Sequence, residues 1–340
     1  MLSLLLQPMI APFATALTLA CALLVALALD RWLGEPPVRL HPVVWLGHYL
    51  AWAGAWVQRR AVQQPALPDY KAFWLAALVW TAGAAIFSAA AWALQSLLLD
   101  LPWWAAGGLL GLLLKPLLAW AMLQSEVQAV EVALGQSLPA GRERLSWLVS
   151  RDVTQLSATG VRESAIESLA ENLNDSVVAP IFWFVLLGLP GAALYRFANT
   201  ADAMWGYPGL YKGQNWAWAG KWAARADDVL SWLPARLTAG LLLLTSGLEP
   251  AGHRLTLRSL RHQAGQTPSP NSGWPMAAMA LALNIRLGKP GVYTLNPAGL
   301  AATAADTQRA IKNASKALLA LMSIALVALY FVAFVDEALT

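Results

Sequence analysis

The chain has 340 residues, 58% of them hydrophobic and only 12% charged, against roughly 25% charged in a typical soluble domain. That balance excludes an ordinary soluble domain, a disordered segment and a coiled coil, and the single Cys21 excludes an intramolecular disulfide and a cysteine zinc cluster. The net charge of +4 is spread along the chain with no basic patch, so no nucleic-acid partner is expected.

A membrane-spanning helix needs about 20 mostly apolar residues. Ile10–Leu29 is such a run and carries no charge. The first nine residues hold no Lys or Arg, so this run is read as a span and not as a signal peptide, although Ala26-Leu27-Ala28 resembles a cleavage site. Phe73–Leu99 and Trp103–Leu123 follow, the latter broken only by Lys115-Pro116, and Ala317–Val335 closes the set. Val177–Leu194 and Val229–Leu248 are also apolar but contain Pro180, Gly188, Pro190, Gly191, Pro234 and Arg236. Such breaks persist at membrane depth only where protein or water satisfies the freed backbone, so these two runs are read as partial or full spans. The expected fold is all-α: a polytopic membrane protein with four transmembrane helices plus two Pro/Gly-broken insertions. The eighteen tryptophans suit membrane interfaces.

Basic residues mark cytoplasmic loops. Arg31, Arg39, Arg59, Arg60 and Lys71 place residues 30–72 inside, and Arg142, Arg144, Arg151 and Arg162 place 124–176 inside. With no internal repeat or low-complexity tract, residues 1–340 read as one domain whose motif loops (30–72, 124–176, 195–228 and 249–315) face the cytoplasm.

In so apolar a chain the polar islands carry the information. Asp30 and Glu35 follow the first span, with His41 just beyond them; they read as a carboxylate and imidazole set for a metal or amine, or as an interfacial cap. Glu163, Glu167, Glu171 and Asp175 recur every four residues and so share one helix face, opposite Val161, Ala165, Ile166, Leu169 and Leu173. Stacked acids repel by a few tenths of a kcal/mol per pair, a repulsion that a divalent cation reverses and that bulk water screens if the face is solvated. Asp202, in the Asn199–Tyr207 island, and the pair Asp227-Asp228, which opens an apolar run, could hold magnesium on a nucleotide or cap helices. Arg236 lies inside that run, where a charge at membrane depth costs about 2.5–3.5 kcal/mol and is by default a functional candidate. Thr267–Pro275 holds three prolines and a glycine and forms a stiff turn. The stretch from His253 to His262 reads as a basic interfacial helix with snorkelling arginines. No G-x-x-x-x-G-K-S/T loop, G-x-G-x-x-G, G-x-S-x-G or H-E-x-x-H occurs.

Taken in order, the islands read D-x-x-x-G-D/E-P…H-P-V, S-R-D-T/V-x-x-L, A-I-E-S-x-A-E-N-x-x-D, A-P-x-F-W, N-T-x-D-x-M-x-G-Y, A-R-x-D-D-V, W-x-P-A-R-L-T and S-P-N-x-G-W-P. From about Asp30 to Leu287 this resembles the adenosylcobinamide-phosphate synthase family of cobalamin biosynthesis, the CobD/CbiB type. The resemblance implies a multi-pass enzyme of the cell inner membrane with a cytoplasmic active site. Such an enzyme joins a carboxylate of adenosylcobyric acid to (R)-1-amino-2-propanol or its O-phosphate, with ATP as co-substrate and Mg²⁺ as cofactor. It also implies contact with the lipid bilayer and association with other enzymes of the pathway. On that basis Glu167, Glu171, Asp175, Asp202, Asp227 and Asp228 are expected as metal ligands. His41, Asp152 and Arg151 are expected in catalysis. Asp30, Glu35, Arg225, Arg236, Asn199, Tyr207, Ser269 and Asn271 are expected to bind substrate or ATP. Two departures stand out: Glu35 replaces the usual Asp, and Gly209–Asn215 differs from the family's charged, tyrosine-rich stretch. Two other classes are weighed: an AmpE-like signalling protein, against which the intact S-R-D, A-R-x-D-D and S-P-N motifs speak, and a transporter with broken helices, which lacks an inverted repeat.

Overall fold

The computed structural model describes residues 2–246 and 256–339. His253 and Arg254 of the expected basic helix, and the end of the second broken run at Gly247-Leu248, lie outside the described residues. The fold is all-α as expected, with two short antiparallel hairpins among the described residues. These are β1 (Leu210–Tyr211) with β2 (Gln214–Asn215), and β3 (Leu287–Lys289) with β4 (Tyr293–Leu295).

Among the described residues, five helical stretches are long and apolar enough to cross a membrane: Phe13–Leu33, Tyr70–Leu99, Trp103–Gln136, Ala158–Trp205 and Ala304–Val332. Phe73–Leu99 and Trp103–Leu123 fall within the second and third, and Ile10–Leu29 and Ala317–Val335 overlap the first and last. The fourth stretch contains the first broken run, Val177–Leu194; the second broken run, in α9 (Lys221–Thr245), is not among the five.

Two of the stretches are less regular than the sequence suggests. Trp103–Gln136 is α4 (Trp103–Leu114), a 3-10 turn over Lys115–Leu117 and α5 (Trp120–Gln136). Pro116 lacks the N–H that would continue α4, and α4 alone rises about 18 Å, short of the roughly 30 Å hydrocarbon core. Ala158–Trp205 is α7 (Ala158–Leu173), a π turn over Asn174–Val178 and α8 (Ala179–Trp205). The wider π turn rotates the residues that follow, so Asp175 leaves the four-residue register of Glu163, Glu167 and Glu171.

The chain packs as two compact units. The first comprises residues 1–118, 179–230 and 325–340. In it α1 (Leu2–Leu33) lies close against α4, where Gly107 and Gly111 face Cys21, Ala22 and Val25; a Cβ added at Gly107 would sit 2.6 Å from that of Cys21. Its main core joins α2 (Pro42–Gln58), α3 (Tyr70–Leu99) and α8 through Leu50, Trp80, Phe197 and Trp205, with Trp216 stacked on Trp205 at 5.8 Å.

α8 bends at Gly188, whose φ of 69° is open to glycine but strained for other residues, with Pro190 two positions on. Leu189 N–H donates to Oε1 of Gln95 on α3 at 2.7 Å. A side-chain amide on the neighbouring helix thus satisfies the backbone group that the break frees, as an apolar medium requires.

The second unit comprises residues 119–178 and 231–324. α7 is its hub and packs on α5, α6 (Leu138–Leu145), α11 (Gly273–Leu283) and β3. α10 (Leu257–Ala264) packs on α11. Ser157 caps α7, its hydroxyl accepting from Gly160 N–H at 3.1 Å. α7 is covered on nearly every side: Glu163 and Glu167 are buried along with the apolar residues. The acidic stripe is therefore not a solvated amphipathic face.

Gln95→Leu removes the acceptor for Leu189 N–H and should cost about 1–3 kcal/mol, the usual penalty for an unsatisfied buried donor. Thermal unfolding in detergent micelles would show this as a lower midpoint. Gly188→Ala, which forces φ and brings Cβ against the Gln95 amide, should lower it further.

Candidate functional site

In the second unit a cavity of about 340 Å³ opens beside α7. Glu167, Glu171 and Asn172 line it from α7, Ser150 and Arg151 from the loop after α6, Thr267, Ser269 and Ser272 from the proline-rich loop, and Lys289 and Tyr293 from the β3–β4 hairpin. Lys289 and Tyr293 are direct cross-strand partners, so the hairpin register sets both side chains at once.

At the base of the cavity Glu167 is held from two sides. Arg151 Nη2 donates to Glu167 Oε2 at 2.6 Å, and Tyr293 Oη donates to Oε1. Burial, together with the Glu167 carboxylate, pushes the Tyr293 phenol up, so it remains a donor. Two groups in the same cavity are left over. Arg151 Nη1 is buried and has no acceptor among the described residues. The Glu171 carboxylate, half-buried one turn after Glu167, has no hydrogen-bond donor or ion-pair partner among them, and its charged neighbours of opposite sign are Arg151 and Lys289. The site therefore presents an uncompensated guanidinium edge and an uncompensated carboxylate within one small space.

Among the described residues no three His, Cys, Asp or Glu side chains gather closely enough to hold a metal ion by themselves. The six expected ligands divide between the units, with Glu167, Glu171 and Asp175 in the second and Asp202, Asp227 and Asp228 in the first. Among the described residues of the second unit, Glu167, Glu171 and Asp175 form no such cage. Mg²⁺, however, is commonly held by one or two carboxylates completed by water and phosphate oxygens. Glu171 and Glu167 on one face of α7 fit that donor set. Asp175 is engaged by Asn174 Nδ2 at 2.8 Å.

The other expected residues are placed as follows. Asp152 is exposed, does not line the cavity, and accepts from Thr154 N–H at 2.9 Å, a bond that lowers its pKa; it is a poor general base. Ser269 lines the cavity, whereas Asn271 and Arg236 do not; they bond to each other. In the first unit, Asp30 and Glu35 both pair with Lys115, at 3.2 and 2.8 Å, and His41 Nε2 meets Glu35 at 3.3 Å. His41 Nδ1 accepts from Val43 N–H and caps α2, so its free nitrogen faces Glu35 as a donor. With Lys115 these three residues form an ionic clasp at the α4 break, buried at Asp30 and Lys115 and half-buried at Glu35 and His41. Asn199 Nδ2 approaches Asp227 Oδ1 at 3.5 Å, Arg225 is exposed, and burial raises the Asp228 carboxyl. Asp202 packs under Gly206. Tyr207 stacks on Tyr211 at 3.6 Å, and burial with that neighbour pushes its phenol up to about 12. It lines a separate cavity of about 360 Å³ with Met204, Trp205 and Trp216.

Lys289 and Tyr293 were not anticipated. Both lie in a short hairpin, and a lone lysine or tyrosine carries no periodic signal; the Lys289-Pro290-Gly291 turn was the only available hint.

Fold and site together define a polytopic helical membrane protein with a polar, mixed-charge pocket. The description CobD/Cbib protein matches residues 23–322, and the chain belongs to that family. A cobalamin biosynthesis protein CobD of Chromobacterium violaceum is 42% identical over 276 residues, 79% of this chain and 81% of the relative. A probable cobalamin biosynthesis protein CobD of Methanothermobacter thermautotrophicus is 40% identical over 273 residues, 80% and 85% of the two chains. A cobalamin biosynthesis protein CobD of Yersinia enterocolitica is 35% identical over 270 residues, 79% and 82%. No solved structure matches the chain.

Arg151→Ala strands the buried Glu167 carboxylate and should cost about 3–5 kcal/mol of stability. Adding Glu167→Gln to it should recover part of that loss, because the uncompensated charge is gone. Chemical denaturation of the wild type, the single variant and the double variant measures the coupling; a double variant no more stable than the single would show that none exists.

Proposed function

We propose that the protein is a cobalamin-biosynthesis ligase. In this reading it condenses a carboxylate of adenosylcobyric acid with (R)-1-amino-2-propanol or its O-phosphate at the expense of ATP, on the cytoplasmic side of the inner membrane. Family membership and the names of the relatives support the pathway. The observation that carries the reaction class is the pair of uncompensated groups in one cavity: Arg151 Nη1 and the Glu171 carboxylate, with Lys289 beside them.

A carboxylate is a poor acylating agent. If its oxygen takes the terminal phosphoryl group of ATP, ADP leaves and an acyl phosphate results; the amine nitrogen then attacks the acyl carbon, and phosphate and a proton depart. Both steps move negative charge between oxygens, so the pocket's contribution is to hold and neutralise anions. Arg151 Nη1 offers a guanidinium edge suited to phosphate oxygens, and its position is fixed because Nη2 is tied to Glu167. Lys289 adds a point charge, and the hydroxyls of Ser168 and Ser269 can donate to further oxygens. Glu171, assisted by Glu167, would hold Mg²⁺, which supplies charge neutralisation on the phosphates. Tyr293 keeps Glu167 aligned. Glu171 could also accept the ammonium proton of the incoming amine.

The test is direct. Protein in detergent receives adenosylcobyric acid, Mg-ATP and each amine separately, and amide and ADP are quantified. Product that depends on ATP is expected. Glu171→Gln should lower kcat/KM by about 10²-fold, the size usual for losing one group that stabilises transition-state charge, while membrane insertion is unchanged. Folded protein that makes no amide with either amine would favour the signalling reading instead.

A further inference from the structure

Arg236 was expected to touch substrate, as an arginine in an apolar run invites. Its surroundings say otherwise. The guanidinium lies within cation–π distance of two indoles, 4.4 Å from the Trp232 ring centre and 4.7 Å from that of Trp274. Nη1 donates to Asn271 Oδ1 at 2.8 Å and to Trp232 O at 2.7 Å, and Nη2 donates to Pro270 O at 3.3 Å. The planar cation thus meets two aromatic rings and is hydrogen-bonded at its edge.

What it grips is one side of the proline-rich loop. Pro270 and Asn271 face Arg236, whereas Thr267, Ser269 and Ser272 of the same loop line the α7 cavity. The loop is stiffened from within as well. Ser269 Oγ accepts from the N–H groups of Asn271 and Ser272, both at 3.2 Å, and Thr267 Oγ1 donates toward Ser269 O at 3.0 Å. Pro268 and Pro270 limit the backbone further. Trp274 follows at the start of α11, so the indole above Arg236 and the hydroxyls in the cavity are only a few residues apart.

We propose that Arg236 is a positioning residue. It fixes the Thr267–Ser272 wall of the pocket by holding that wall from behind, and touches neither the phosphates nor the corrinoid. The proposal rests on the α7 cavity being the substrate site.

Arg236→Lys keeps the charge but loses the planar fork; Trp274→Phe keeps Arg236 but weakens one ring contact, and serves if the lysine variant folds poorly. Each is compared with wild type by hydrogen exchange of peptides covering residues 266–276 and by steady-state kinetics in Mg-ATP. Exchange at the Asn271, Ser272 and Trp274 amides should quicken by about ten-fold, and KM for Mg-ATP should rise by about ten-fold with a smaller fall in kcat, because binding groups lose their alignment. Unchanged loop exchange would overturn the proposal, as would a large fall in kcat with KM and exchange both unchanged, which would mean direct contact with the reacting groups. If wild-type protein makes no amide, the functional reading fails on its own and loop exchange alone decides whether Arg236 holds the wall.

Discussion

In an apolar surround, each buried charge and each freed backbone group must find its partner inside the protein. The internal breaks of this chain are built around that demand. Where α8 bends at Gly188, the Gln95 amide takes the Leu189 N–H. Where α4 stops at Lys115, the ammonium group is sheathed by Asp30 and Glu35. Where α7 runs through the second unit, Glu167 is covered by Arg151 and Tyr293, Glu163 faces Arg286 at 3.4 Å, and Glu131 receives a bidentate pair from Arg162. Where the group left behind is buried, as Asp30 and Glu167 are, replacing its partner removes more than one contact, because that group cannot be rehydrated in place.

The same demand explains which polar residues had readable roles. The helical spans were legible because twenty apolar residues in a row have few alternatives. The acidic stripe was legible as a face but not as an environment. Four-residue spacing sets direction, whereas burial depends on α5, α11 and the hairpin closing over α7, which is long-range information. The π turn at Asn174–Val178 is a further step beyond spacing, since it removes Asp175 from a register that the sequence keeps perfectly. Lys289 and Tyr293 were illegible for the opposite reason. They reach the site through a three-residue strand pairing with no repeat long enough to detect.

Motif order located the chemistry more coarsely than individual side chains. Asp30, Glu35 and His41 belong to one motif, and the structure does bring them together, around Lys115, a residue that the sequence placed inside a span. A motif can mark a structural clasp as readily as a ligand contact, and only partner accounting separates the two.

That accounting is sharpest for Arg151 and Arg236 in the second unit. Arg236 lies in an apolar run and Arg151 in the polar S-R-D island, and the sequence offers both as functional candidates. Arg236 has the Trp232 and Trp274 rings within cation–π distance and oxygens at Nη1 and Nη2, so the protein itself supplies its partners. Arg151 is pinned at Nη2, while its buried Nη1 has no acceptor among the described residues and lies at a cavity. A donor left open beside a cavity is free to meet an anion, whereas one already engaged by the protein's own oxygens holds structure in place. The proposed division of labour between Arg151 and Arg236 rests on that difference.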